Sequence, residues 1–159
     1  MKLIVGVADM KVSNDPNSEL VTYSLGSCIG IAIYDAAARV GGMLHFMLPE
    51  SGLDKDKARQ KPFMFADTGI PRLFKAAYEL GAAKSRLRVV VTGGSQVLDQ
   101  QGFFNIGQRN QMAVQRIFDR NNVVVDFSDL GGNANRTLRL AIRGGQTGLK
   151  LSGRGEKFV

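Results

Sequence analysis

Residues 22–48 read TYSLGSCIGIAIYDAAARVGGMLHFML. Two runs rich in branched apolar residues, 29–35 and 40–48, flank the short stretch DAAAR. Runs of that kind bounded by turn residues predict strands, and so short a connection predicts an antiparallel hairpin. The first run directly follows the chain's one cysteine, Cys28, and the second contains its one histidine, His45. With the turn centred on residues 36–38, one register places His45 opposite Cys28. Another places it opposite Gly30, diagonal to Cys28 on the same face. In either case the Cβ atoms lie about 5–8 Å apart, within reach of a thiolate–imidazolium pair. A slip of one residue would send the two side chains to opposite faces, so register carries the inference.

Outward from the hairpin, LIVGVA (3–8) and ELVTYSL (19–25) also read as strands. SGLDKDKARQKP (51–62) is polar and irregular and reads as a mobile loop. A helix is expected next, capped by Asp67 or Thr68, with Pro71 in its first turn and Gly81 at its end. Ile70, Leu73, Phe74, Ala77 and Leu80 share one face of it. LRVVVTGG (87–94) is a strand running into a glycine turn, and GSQVLDQQGFFN is a loop. A second helix spans 106–121, with Asn105 as its cap and Ile106, Ala113, Val114, Ile117 and Phe118 inward. NVVVDFSD, TLRLAI and TGLKLS supply late strands. The expectation is one mixed α/β domain over 1–159, with strands outnumbering helices.

Composition agrees with a single folded unit. A chain of 159 residues with 44% hydrophobic and 22% charged residues is ordinary globular material. One cysteine excludes an intrachain disulfide and suits a reducing compartment. No apolar run approaches a membrane span, and MKLIVGVADM lacks a signal-peptide cleavage pattern. A cytoplasmic location is expected, without membrane insertion. The 21 Lys and Arg against 14 Asp and Glu give a net charge of +7, which favours an acidic partner. The basic residues are dispersed, densest in KDKARQK and KSRLR. No zinc-finger spacing, aromatic RNA-binding strand or recognition helix appears, so nucleic acid is not the expected partner.

If Cys28 and His45 meet, their chemistry follows from their types. A free thiol has a pKa of about 8.5, and a neighbouring imidazolium lowers it and supplies a proton to a leaving group. The backbone N–H groups of the turn Gly26, Ser27 and Cys28 can hold an oxyanion. No Asp or Asn to orient the imidazole is evident nearby, but Thr22 is a hydroxyl on the strand leading into the turn. The competing reading is an inert core thiol and an ordinary hydrogen-bonded histidine. One Cys and one His cannot close a zinc site, so no metal is expected. Tyr34 stands where a C-x5-R phosphatase loop needs Arg, and TGGSQV lacks the Lys-Ser/Thr ending of a P-loop. Residue types alone reach as far as a cysteine hydrolase.

TYSLGSCIGIAIYD followed by GGMLHFMLPES resembles the signature of the CheD family of chemoreceptor glutamine deamidases. The resemblance continues through FADTGIPRLF, TGGSQV, NIGQRN and DLGGNANRTLRLAIRGGQTG, in order along most of the chain. It implies a hydrolase that converts receptor glutamine side chains to glutamate and releases ammonia, without a cofactor. Cys28 matches the family's nucleophile, His45 its base and Thr22 its supporting hydroxyl. It also implies layered β-sheets with helices packed outside. The implied partners are the Glu- and Gln-rich cytoplasmic helical bundle of a receptor and a CheC-type phosphatase. Methylesterase activity occurs in some members. The loop 51–62 and the turn around Phe103 and Phe104 are the candidates for lining a substrate groove. Arg109 and Asn110 are expected to support the start of the second helix, and Asn133 and Asn135 to be turn residues. A non-catalytic adaptor that binds receptors or a CheC-type phosphatase is the alternative.

Overall fold

The computed structural model describes residues 1–96 and 105–159. The Phe103–Phe104 turn and most of the 94–105 loop lie outside the described residues. Among the described residues, ten strands form two five-stranded sheets. The first contains β1 (Lys2–Ile4), β3 (Glu19–Leu25), β8 (Arg136–Ala141), β9 (Thr147–Leu151) and β10 (Glu156–Phe158), in that order. The second has the order β2 (Asp9–Ser13), β5 (Val40–Phe46), β4 (Ile29–Asp35), β6 (Leu87–Gly93) and β7 (Phe127–Leu130).

The alternation of β4 and β5 explains the layering. Ala32, Tyr34 and Met43 point to the first sheet and pack on Leu20, Leu25, Leu138 and Leu140. Ile29, Ile31, Ile33, Leu44 and Phe46 point the other way, onto α2 (Ala66–Glu79) and α3 (Ile106–Arg120). Both strands are buried along their whole length, as a central layer between a sheet and helices requires. The helices supply most of the expected apolar stripes, Ile70, Leu73, Phe74 and Ala77 from α2, and Ala113, Val114 and Phe118 from α3, while Leu80 falls at the helix end and is exposed. Layered sheets with outer helices are what the resemblance implied.

Several local expectations are corrected. The run 3–8 is no single strand: β1 stops at Ile4 and the chain crosses to the second sheet, where β2 begins at Asp9. Ala8 takes a left-handed φ of 58° in that crossing, and the Gly6 N–H donates to the Asp9 carboxylate. The segment 51–62 is ordered as a 3-10 turn, Ser51–Leu53, and a short helix α1, Lys55–Gln60, capped by Asp54. Its Ala58 packs with Leu48, Phe65 and Ile106. Helix α2 begins at Ala66 with no side-chain cap. Asp67 instead accepts from the Ser51 N–H and hydroxyl, and Thr68 donates to Pro62. Pro71 lies beyond the first turn and forgoes one helical hydrogen bond. Gly81 does end the helix, at φ 108°, with the paired N–H donations from Gly81 and Ala82 of a Schellman motif. Asn105 precedes α3 in a left-handed conformation and makes no capping bond. β7 is shorter than NVVVDFSD, because Val123–Val125 lead up to it as coil.

Candidate active site

Of the two registers expected, the second is observed: Gly30 pairs with His45 in the β4–β5 ladder. Cys28 lies just before β4 and two positions from Gly30, so it is diagonal to His45 on the face towards the first sheet. Thr22 arrives from the other sheet. It sits on β3 ahead of a register irregularity between Thr22 and Leu25, beyond which the chain turns through Gly26–Cys28 into the second sheet. Thr22 and His45 are thus carried by two sheets and bond between them, and Cys28 shares the ladder face of His45 without a hydrogen bond to it.

Two hydrogen bonds settle the imidazole's tautomer. The Thr22 hydroxyl lies 2.7 Å from the Val5 carbonyl and 2.7 Å from His45 Nδ1. A carbonyl only accepts, so Thr22 donates its one proton to Val5 and must accept from Nδ1–H. The proton therefore resides on Nδ1, and Nε2 presents a lone pair. Nε2 is buried and has no hydrogen-bond partner among the described residues. Leaving a buried acceptor unsatisfied costs about 1–3 kcal/mol, which is unusual for a purely structural histidine.

Burial disfavours charge on both partners. It pushes the Cys28 thiol up to about 11, opposed only by its own backbone N–H. Burial likewise pulls His45 down to about 4, opposed by the charge of Asp9. Burial thus favours a thiol and a neutral imidazole at rest over the thiolate–imidazolium pair that the residue types suggested. Moving one proton from Sγ to Nε2 creates both charges together, so each offsets the burial of the other.

The turn around Cys28 is held by its carbonyls. Gly26 accepts from the Ser95 N–H at 2.9 Å and Cys28 from the Gly94 N–H at 2.9 Å. Between them, the Ser27 carbonyl accepts from Asn110 Nδ2 at 2.9 Å. Among the described residues, the N–H groups of Ser27 and Cys28 donate to no carbonyl, whereas that of Gly26, an expected oxyanion donor, is taken by the Ser24 carbonyl at 3.0 Å. This close approach explains the glycine turn after β6: a Cβ on Gly93 would lie 2.2 Å from the Cys28 carbonyl oxygen, and its φ is 115°. Gly107 is required for a related reason, since a Cβ there would lie 2.3 Å from the Ser95 carbonyl.

Sequence reading missed three contributors. Asp9, whose role depends on the unforeseen strand β2, pairs with His45 in the β2–β5 ladder. The Val5 carbonyl fixes Thr22 from the crossing between the sheets. Asn110, expected to support the helix start, instead reaches from α3 to the carbonyls of Ser27 and Met47. A polar residue on the apolar stripe of 106–118 was the available signal for it. Arg109 points elsewhere, into an open groove of about 430 Å³ shared with Pro49, Glu50, Met112, Arg116 and Arg120. Asn133 lies in a bend, as expected of a turn residue, whereas Asn135 is coil directly before β8, joined through its backbone to Ser152. Among the described residues no helix is long and apolar enough to cross a membrane.

Three comparisons bear on this geometry. The family described as "CheD chemotactic sensory transduction" matches residues 47–151, beginning just past His45. A protein of Syntrophus aciditrophicus named probable chemoreceptor glutamine deamidase CheD 1 is 54% identical, covering 95% of this chain and 94% of its own. A protein of Solibacter usitatus named probable chemoreceptor glutamine deamidase CheD is 43% identical over 99% of this chain and 94% of its own. Among solved structures, a Neisseria meningitidis protein of the family DUF152 aligns with 82% of this chain and 62% of its own. At 8% identity and a TM-score of 0.42, that likeness is too loose to inform the site.

Proposed function

This chain belongs to the CheD family, and from that premise we propose that it is a chemoreceptor glutamine deamidase acting through Cys28, His45 and Thr22. The observation that carries the site assignment is the bare Nε2 lone pair of His45, left by the Thr22 bond and lying on the same ladder face as Cys28.

The chemistry runs as acyl transfer. Nε2 takes the Cys28 proton as Sγ attacks the carboxamide carbon of a receptor glutamine. The oxygen becomes an anion facing the free N–H groups of Ser27 and Cys28, next to Gly26. The imidazolium protonates the departing nitrogen, ammonia leaves and a thioester remains. Nε2 then activates a water molecule, which hydrolyses the thioester to glutamate and restores the thiol. Thr22 keeps the Nδ1 proton in place throughout, so that Nε2 serves as the base in both halves.

The protein substrate is the cytoplasmic helical bundle of a chemoreceptor, and the enzyme works in the cytoplasm. The net charge of +7 suits an acidic helix, and the groove lined by Arg109, Arg116 and Arg120 against Glu50 and Asp67 offers it three guanidinium groups. The ordered segment 51–60 flanks the same approach, because Met47 and Leu48 donate to Met64 just beyond it. A CheC-type phosphatase is a candidate second partner for this surface.

The test is mass spectrometry of a purified receptor cytoplasmic fragment incubated with wild type or Cys28→Ala. Conversion of glutamine to glutamate by wild type alone supports the enzyme. Binding without conversion by either protein supports the adaptor instead.

A further inference from the structure

We propose that Asn110 is the positioning residue of the oxyanion site, aiming the Cys28 N–H by holding the Ser27 carbonyl. This rests on the cysteine-hydrolase reading above and extends it to a residue that touches no reacting atom.

Asn110 is fully buried on α3, in a stripe whose other members include Ile106, Ala113, Val114 and Phe118. Its Nδ2 donates to the Ser27 carbonyl at 2.9 Å and to the Met47 carbonyl at 2.9 Å. Those bonds use both amide hydrogens and fix the orientation of the group, since a flipped amide would set Oδ1 against two carbonyl oxygens. Oδ1 is buried and has no partner among the described residues. The amide is therefore committed to its donors.

The peptide unit joining Ser27 to Cys28 is planar and trans. Its C=O and N–H point in opposite directions, so a carbonyl held against α3 turns the Cys28 N–H away from the helix. That N–H belongs to the residue that carries Sγ, so it is within reach of an oxyanion formed on a carbon bonded to Sγ. A hydrogen bond to the carbonyl also polarises the peptide and strengthens its N–H as a donor. The preceding peptide is treated alike, its Gly26 carbonyl held by the Ser95 N–H. Asn110 is the one member of this clamp that is a side chain and can be replaced. Its second bond, to Met47, reaches the strand end that continues from His45, so one amide braces both segments of the site.

The test compares two reactions of the same thiol in the full chain. Acylation by p-nitrophenyl acetate passes through a tetrahedral oxyanion: Sγ bonds to the acetyl carbon and p-nitrophenolate leaves. Alkylation by iodoacetamide displaces iodide and forms no oxyanion, while needing the same deprotonated sulfur. In Asn110→Leu, which keeps the branched outline and removes the amide, acylation is expected to fall on the order of 10- to 100-fold. Alkylation should stay within about threefold of wild type, since its transition state uses no oxyanion donor. Asn110→Asp, of the same shape, decides by the same ratio if the leucine variant does not fold. Equal loss of both reactions, or no loss of either, overturns the proposal, as does failure of both variants to fold. If wild-type Cys28 is acylated no faster than free cysteine, the cysteine-hydrolase reading itself fails, a result separate from any effect of Asn110.

Discussion

Strand β4 has a buried polar cluster at each end, and the two are built on opposite rules. At the far end, Asp35 is fully buried and accepts from the N–H groups of Ala37, Ala38 and Ala83 and from Arg86 Nε. Burial opposes its charge, but Arg86 and the backbone donors outweigh it and hold the carboxyl at about 2. At the near end, burial prevails. Cys28 and His45 are pushed towards neutrality, and Nε2 has no partner among the described residues. A satisfied cluster closes a turn and locks a register. An unsatisfied one keeps a proton acceptor ready. Burial alone does not separate structural from reactive polar groups; the state of their hydrogen bonds does.

The sharpest way to break this comparison is to delete one group from each end. Cys28→Ala should abolish deamidation, by at least about 10³-fold in kcat/KM. Its thermal midpoint should stay within a few degrees of wild type, because only a half-buried thiol is lost. Asp35→Ala should do the reverse. Leaving its donors without an acceptor is expected to cost about 3 kcal/mol, read as a fall in the urea midpoint. Activity in the folded fraction should be retained.

Acid should attack the two ends in sequence. His45 titrates at about 4 in the fold against 6.5 unfolded, so the unfolded chain binds the proton first. Stability is then lost as pH falls from 6.5 to 4, by up to about 3 kcal/mol. Asp35, at about 2 in the fold against 3.8 unfolded, loses its contribution only as pH falls from 3.8 to 2. Urea titrations across pH should show the first decline vanish in His45→Gln and the second persist. Persistence of the first decline in that variant would remove His45 as its source.

The smallest effect expected is from Thr22→Val, which keeps the shape and loses the tautomer lock. A fall of about 10- to 100-fold in kcat at nearly constant KM is expected, since Thr22 acts through the ring rather than on substrate. A KM change with kcat intact would assign Thr22 to binding instead.

Much of the site was legible because it lies on local patterns. The period-2 alternation of 29–35 and 40–48 and the short turn between them bring Cys28 and His45 to one face within one hairpin. The stripes of α2 and α3 were readable for the same reason, since periodicity reports which face meets the core. The N-terminal crossing was not readable. Nothing in LIVGVADM states that the chain leaves one sheet at Ile4 and joins another at Asp9, because strand partners are chosen by non-local pairing. The helical order of 51–60 was hidden by its polarity, its one buried residue being Ala58.

The sequence by itself determined the residue types and the hairpin, whose two expected registers both put a thiol and an imidazole on one strand face, with a threonine upstream and glycines in the turns. It could do so because covalent spacing and strand alternation act over a few residues. The structure chose between the registers. Only the tertiary structure decided what those groups do to one another. Thr22 reaches His45 across two sheets, Asn110 reaches Ser27 from a helix packed behind them, and burial sets which partner holds the proton. Those contacts join residues far apart in the chain, and hydrogen bonding and burial depend on distance in space rather than position in the chain.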